Sequence, residues 1–130
     1  MKIESDKSTI NKPVSEVFSF LSNFTNFQKL MPDQISNWQS TENDCSFTIK
    51  GMATIGMKIL EKIPTSLIKI SSNGKVPFDF TLHVCLTETS PTQTMGQIIF
   101  ESDPNPMMAM MVEKPLRNFF NLLASKMKEI

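Results

Sequence analysis

Few side chains in this sequence could carry acid–base, nucleophilic or metal chemistry, and they are scattered. The chain has one histidine, His83, two cysteines, Cys45 and Cys85, and no tyrosine. Asp79 and His83 share one face of a predicted strand, but four residues at about 3.4 Å each place them roughly 13 Å apart, beyond hydrogen-bond reach. Both residues lie in the polar phase of that strand, opposite the apolar side chains, so His83 is expected on a solvated face or at an interface. One histidine and two distant cysteines provide no zinc-ligand spacing, so no metal is expected.

Glu61 is the remaining acid–base candidate. It falls in the apolar phase of its strand, between Ile59 and Ile63, and would be a catalytic candidate if its side chain pointed inward. A solvated position where the strand leaves the sheet is the favoured interpretation. The glycines form no phosphate-binding loop, and Gly51 and Gly56 are interpreted as strand bends. We therefore assign no catalytic residue and expect no cofactor.

Length, charge and cysteine usage narrow the class of protein. A chain of 130 residues predicts a single domain over 1–130. Thirteen Lys+Arg balance thirteen Asp+Glu, and Arg117 is the only arginine, which argues against nucleic acid as a partner. Residues 1–7 are polar, and no segment approaches the ~20 apolar residues of a membrane span. We expect a cytoplasmic monomer or weak homodimer with two free, buried thiols.

The first third of the chain predicts a strand followed by two short helices. Residues 2–10 alternate as a strand, and Asn11 is the predicted helix cap, with Pro13 in the first turn. Two apolar stretches at helical spacing follow, separated by Asn23 and ended by Pro32. Their apolar positions are Val14, Val17, Phe18, Leu21, Phe24, Phe27, Leu30 and Met31.

From residue 34 the apolar period changes to two, which is typical of strands with one buried face. Turn signals at 42–44, 72–74 and 90–91 separate the alternating runs at hairpin spacing. The apolar positions are Cys45, Phe47, Ile49, Ile55, Met57, Ile59, Ile63, Ile68, Ile70, Phe78, Phe80, Leu82, Val84, Leu86, Ile98 and Phe100. About six antiparallel strands are predicted in this region, in addition to the N-terminal strand.

The last segment, 107–130, predicts one long helix, about 36 Å at 1.5 Å per residue. Its apolar stripe steps by three and four residues, as expected for a helix that covers a sheet. The stripe consists of Met108, Val112, Leu116, Phe119, Leu123, Met127 and Ile130. Pro115 is expected to bend this helix or open a turn in it.

The segment INKPVSEVFSFL at 10–21, with Pro32 and Trp38 after it and the closing helix segment at 116–123, resembles the START-like (SRPBCC) superfamily. The polyketide cyclase/dehydrase-like branch is the nearest. The resemblance implies an α+β helix-grip fold, in which a curved antiparallel sheet of six to seven strands wraps around the long C-terminal helix. It also implies an apolar cavity between them. Members bind lipids, sterols, polyketides or hormones, and a minority are enzymes.

On this resemblance, the predicted core is also the predicted lining of a ligand cavity. The lining residues share the apolar phase of a strand or the stripe of the long helix. They are Phe47, Ile49, Met57, Ile59, Phe80, Leu82, Val84, Ile98, Phe100, Met108, Val112 and Phe119. Trp38 is interpreted either as part of the lining or as an ordinary packed aromatic.

A methionine-rich segment opens the long helix. Met107, Met110 and Met111 lie off the apolar stripe, so they are interpreted as a cavity entrance or partner surface, or as filler of a loose core. The sequence thus predicts binding or transport of a small hydrophobic ligand, lipid- or polyketide-like. The alternatives are an enzyme of the polyketide cyclase or dehydrase type and a protein-interaction module that uses this helix.

Overall fold

The computed structural model describes residues 1–130 and shows one antiparallel sheet, a long helix packed against it and two short helices. It confirms the predicted α+β helix-grip arrangement. A 3₁₀ turn, Gln28–Leu30, directly follows the second short helix. The elements are β1 Lys2–Glu4, β2 Ser8–Ile10, α1 Val14–Leu21, α2 Phe24–Phe27, β3 Ile35–Ser40, β4 Asp44–Ile49, β5 Ala53–Ile63, β6 Leu67–Ser72, β7 Phe80–Ser90, β8 Gln93–Ser102 and α3 Pro106–Met127.

The sheet has eight strands in the order β1-β8-β7-β6-β5-β4-β3, and β2 also pairs with β8. The single strand predicted over 2–10 is therefore interrupted, and β1 and β2 are two pieces of one edge. Ser5 lies at the interruption, where its backbone N–H donates to the Ile98 carbonyl at 2.9 Å. Its hydroxyl accepts the Ile98 N–H at 2.9 Å, so a side chain replaces one bond of the strand ladder.

The first helix begins without a side-chain cap. The predicted Asn11 cap is wrong, because Pro13 occupies the cap position and α1 starts at Val14. The Pro13 carbonyl accepts hydrogen bonds from the N–H groups of Glu16 and Val17 at 3.0 and 3.2 Å. A proline suits the position because it has no N–H of its own to satisfy.

The second helix begins at a cap that the sequence does contain. The Asn23 side chain accepts hydrogen bonds from the backbone N–H and the hydroxyl of Thr25 at 2.9 and 2.7 Å. Phe24 and Phe27 are buried and meet edge to face, with ring centroids 5.1 Å apart. The helix pair and its 3₁₀ turn end before Pro32, as predicted.

The long helix α3 starts one residue before the predicted 107 and ends at Met127. Asn105 caps it by accepting the Met108 N–H at 2.8 Å. Pro115 lies on the exposed face and the helix continues through it, so no turn opens there. Its 22 residues span about 33 Å. The buried side chains are Val112, Leu116, Phe119, Phe120, Leu123, Ala124 and Met127.

Three register shifts and one close backbone approach shape the sheet; one of the shifts lies between Glu88 and Ser90 near the end of β7. β3 shifts register at Asn37, whose φ is 55°, and β5 shifts register at Leu60. A bulge bends its strand and increases the local twist, which helps the sheet curve around α3. At Gly56 the Asn73 N–H donates to the carbonyl at 2.8 Å, and a Cβ at this glycine would overlap the Asn73 carbonyl oxygen. Close approach of two backbones, rather than a strand bend, therefore requires this glycine.

Candidate functional site

The space between the sheet and α3 is small and lined only by apolar residues. Its volume is about 30 Å³, enough for about two water molecules. Pockets for drug-sized ligands measure about 300–1,000 Å³, so side chains fill most of this interior. The lining residues are Phe27, Met31, Phe47, Ile49, Met52, Ile55, Met57, Pro77, Phe78, Phe80, Leu82, Phe100, Leu116, Phe119, Phe120 and Leu123.

A larger, open groove of about 470 Å³ lies beside the first half of α3. The helix forms one wall, and the β4–β5 turn and the loop before β7 form the other. The lining residues are Gln34, Ile49, Lys50, Gly51, Met52, Pro77, Phe78, Met108, Met111, Val112, Pro115, Asn118 and Phe119. In volume, the groove falls within the range of small-molecule sites.

Five side chains separate the groove from the interior cavity. Ile49, Met52, Pro77, Phe78 and Phe119 line both spaces. Met52 and Phe78 are half-buried, and no hydrogen bond between backbone groups holds residues 74–79. The partition therefore consists of apolar side chains, and two of them, Pro77 and Phe78, lie in the loop at 74–79.

An aromatic cluster underlies the interior cavity. The Phe100 ring centroid lies 5.3 Å from Phe80, 5.2 Å from Phe120 and 6.4 Å from Phe78. Phe119 and Phe120 are 5.3 Å apart. These rings join β7, β8, α3 and the loop before β7, so one side chain of β8 contacts three other parts of the cavity wall.

A curved sheet around a long C-terminal helix is also seen in solved structures of other proteins. A START superfamily protein from Mycobacterium smegmatis matches with a TM-score of 0.71 at 11% identity, over 98% of this chain and 97% of that chain. The chain has a START-like fold. XoxI from Bacillus cereus matches with a TM-score of 0.77 at 10% identity, over 98% of this chain and 93% of that one. Norcoclaurine synthase from Thalictrum flavum matches with a TM-score of 0.77 at 10% identity, over 99% and 84%.

No protein-family model matches the sequence, and the comparison with curated proteins finds no significant match. The START/SRPBCC resemblance is confirmed at the level of the fold. Its sequence motifs are structural, and identities of 10–11% with these structures speak for the START-like fold alone.

The START-like fold brings most of the predicted lining residues to the two spaces. Those at the interior cavity are Phe47, Ile49, Met57, Phe80, Leu82, Phe100 and Phe119. Met108 and Val112 line the groove. Ile59, Val84 and Ile98 line neither space: Val84 pairs with Ile98 and each is 1% exposed, and α1 contacts both of their strands. Ile59 is half-buried beside the β5 bulge.

Several lining residues were not among those predicted from the sequence. Leu116 and Leu123 belong to the predicted helical stripe, and Phe78 shares the strand phase of Phe80. The sequence pattern therefore indicates that these three side chains face the interior. Met52 and Pro77 lie in turns, where no periodic pattern indicates which way a side chain points. They reach the site only because the loops fold toward α3.

The β5 bulge decides the position of Glu61. Ile59 pairs with Ile70, whereas Glu61 pairs with Lys69, so Leu60 is the additional residue and the strand changes phase after it. Glu61 is exposed, on the side of the sheet that carries Lys69. The solvated interpretation is therefore the one that the structure supports.

His83 lies on the sheet face opposite α3, between Lys69 and Ile99 on the neighbouring strands. It is half-buried, and its Nε2 atom is buried without a hydrogen-bond partner. Asp79 precedes β7 and accepts a hydrogen bond from the Ser72 hydroxyl at 3.3 Å. Neither His83 nor Asp79 lines the interior cavity or the groove.

Both cysteines are free thiols. Cys45 is buried opposite Met57, and Cys85 is half-buried on the outer side of β7. Burial raises the pKa of the Cys45 thiol to about 12; a hydrogen bond with the Met57 backbone lowers it and the nearby Asp44 raises it, both to a smaller extent. Burial also raises the pKa of Cys85.

Cys45 is expected to make the folded state less stable in alkaline solution. Between about pH 9 and 12 the folded chain keeps the thiol proton while the unfolded chain loses it, so the unfolded state binds fewer protons and stability falls as pH rises. Between pH 8 and pH 11 the stability of the parent relative to Cys45→Ala should therefore fall by about 2–3 kcal/mol of unfolding free energy. Urea denaturation at both pH values measures this.

Cys85→Ala is the matched control, because that thiol is only half-buried, and its pH-dependent difference should be smaller. A parent-to-variant difference that stays constant from pH 8 to 11 for Cys45→Ala would contradict the assignment.

The methionines that open α3 differ in their surroundings. Met107, Met110 and Met111 are 74%, 85% and 68% exposed, which excludes core filling for these three. Met111 also lines the groove, whereas Met107 and Met110 do not.

None of the helices combines the length and apolar character that a bilayer span requires.

Trp38 lies outside both spaces. Its ring stacks on Phe47 with centroids 5.2 Å apart, and its Nε1–H donates to the Ser40 hydroxyl at 2.9 Å. Since Phe47 does line the cavity, Trp38 supports the lining from behind. The interpretation as a packed aromatic fits this position.

Proposed function

We propose that this START-like protein binds a small hydrophobic ligand in the groove beside α3 and in the interior that the groove adjoins. The observation that carries the proposal is the shared wall: five apolar residues line both a 470 Å³ groove and an apolar interior. Apolar surface removed from water contributes about 25 cal/mol per Å², so such a site favours apolar ligands. Selectivity would come mainly from shape.

Entry into the interior requires the partition to move. Phe78 and Met52 are half-buried, and the loop at 74–79 has no backbone-to-backbone hydrogen bonds that would have to break. A thioether is flexible and tolerates repacking. We infer that a ligand displaces these two side chains and enlarges the 30 Å³ cavity as it binds.

Binding accounts for the interior better than catalysis does. No titratable side chain lines the interior cavity, and Lys50 is the one ionisable group that lines the groove. A cyclase or dehydrase would need an acid or a base within about 3 Å of its reacting atom. Norcoclaurine synthase is an enzyme by name, but this chain resembles it in fold only.

Native mass spectrometry of freshly purified protein tests the proposal, followed by extraction and identification of any bound molecule. A stoichiometric apolar molecule would support it, and the same spectrum would show whether the protein is the expected monomer or weak homodimer. Empty protein that also fails to take up an apolar fluorescent probe would overturn it. The proposal includes a cytoplasmic location, which fractionation of the source cells would check.

Protein interaction is a second candidate function, favoured by the exposure of Met107 and Met110. Large apolar side chains that project from a helix are typical of a partner surface. Met107→Lys combined with Met110→Lys is expected to remove a bound partner in a pull-down assay and to change probe affinity less than twofold. Unchanged partner recovery would contradict this function, since both residues lie outside the groove.

A further inference from the structure

The groove beside α3 has polar side chains that the interior lacks. Gln34, Lys50 and Asn118 are exposed and line the groove together with apolar residues. The interior cavity is lined by apolar residues alone. Polarity therefore falls from the groove toward the interior, and a bound molecule with one polar end and one apolar end would match this direction.

The ionisable side chains that line the groove are also of one sign only, positive. No Asp or Glu lines it, and Lys50 is its single ionisable residue. The three ion pairs of the structure involve other lysines, so the Lys50 ammonium has no carboxylate partner within 4 Å. An ammonium offers three hydrogen-bond donors and no acceptor, and the amides of Gln34 and Asn118 can donate as well.

We propose that the groove binds a single-chain amphiphile, with an anionic head group against Lys50 and an apolar tail directed toward the interior. This inference rests on the proposed function and adds the charge and the orientation of its ligand. A carboxylate or a phosphate monoester would satisfy the site, because a lysine ammonium acts as a point charge toward either. A cationic head group would meet Lys50 with no carboxylate to offset it.

The tail side of the groove fits an alkyl chain. Met108, Met111 and Val112 belong to the helix wall, and Met52 and Phe78 belong to the partition to the interior. Unbranched thioether side chains adapt to an alkyl chain without a fixed shape requirement. Burial of each additional methylene is expected to tighten the Kd about fourfold.

A head-group series on the intact chain tests the proposal. Dodecanoate, dodecyl phosphate, dodecanol and dodecylammonium share one tail and are titrated below their critical micelle concentrations, by displacement of an apolar fluorescent probe. Dodecanoate or dodecyl phosphate is expected to bind at least fivefold more tightly than dodecanol, and dodecylammonium more weakly than dodecanol. The preference should shrink as salt is added, since the Lys50 head-group contact is exposed.

Two variants locate the effect. Lys50→Glu is expected to weaken binding of the preferred anion about tenfold while changing dodecanol affinity less than twofold. Lys12→Glu makes the same charge change on an exposed residue that lines neither space, and should leave the preference intact.

Different experimental results would overturn the head-group assignment and the proposed function. Equal affinity for dodecanol and the anions, or equal effects of Lys50→Glu and Lys12→Glu, would overturn the head-group assignment and leave apolar binding in place. No binding of any member of the series would overturn the proposed function itself.

Discussion

Phe100→Ala is expected to lower the free energy of unfolding by about 3–5 kcal/mol. Phe100 is 2% exposed and contacts the aromatic rings of Phe78, Phe80 and Phe120, which come from three other parts of the fold. Its removal loses the transfer free energy of the ring and leaves a cavity that neighbours held by the sheet and α3 fill only partly. Since domains of this size are stable by about 5–15 kcal/mol, this single change would remove a large share of the total.

Urea denaturation followed by far-UV circular dichroism measures the Phe100 effect. Phe20→Ala is the matched control, because Phe20 is half-buried and its ring face is covered by the Lys29 ammonium, 5.8 Å from the centroid. Its loss should cost about 1 kcal/mol or less. Similar losses for the two variants would show that the aromatic cluster is not the centre of the core.

Met108→Trp is expected to weaken binding of an apolar fluorescent probe at least tenfold. Met108 is half-buried and lines the groove from α3. An indole in place of its thioether would occupy groove volume next to Val112 and obstruct the approach to Phe78, while the interior core keeps its side chains. Equilibrium titration of the probe against parent and variant gives the two dissociation constants.

Met107→Trp controls for the added aromatic ring. Met107 is the preceding residue of the same helix, is 74% exposed and does not line the groove, so its substitution should change the dissociation constant less than twofold. Thermal melts of both variants should remain cooperative and close to the parent. Equal loss of binding in the two variants, or none in Met108→Trp, would place the site elsewhere.

The long helix shows how far local pattern alone carries a prediction. The stripe from Val112 to Met127 repeats at helical spacing, and those positions are buried against the sheet. Burial of apolar surface is the dominant favourable term in folding, so the residues of the buried helix face must be apolar. Their spacing in the sequence therefore shows which face is buried. Likewise, alternation through Phe80, Leu82 and Val84 predicts which side of β7 faces the core, and burial agrees.

The alternation of apolar and polar residues no longer predicts burial where a bulge adds a residue to a strand. The bulge at Leu60 reverses the alternation of β5, so Glu61, which shares the apolar phase by counting, is exposed. The local residue types do not indicate this position, because the place of a bulge depends on how the strand pairs with its two neighbours. The interruption of the first strand at Ser5 has the same origin, since it depends on the pairing with Ile98.

The order of elements (strand, helix pair, antiparallel strands and closing helix) and most core positions follow from the periodicity of the sequence, because each element must bury one face. The START-like fold followed from the resemblance of the segment at 10–21 and of the closing helix to that superfamily. The site itself depends on tertiary packing, which divides the predicted lining among cavity, groove and packed core. Met52, Pro77, Phe78 and Lys50 meet there through turns distant in sequence, and such contacts depend on how whole elements pack rather than on any local repeat.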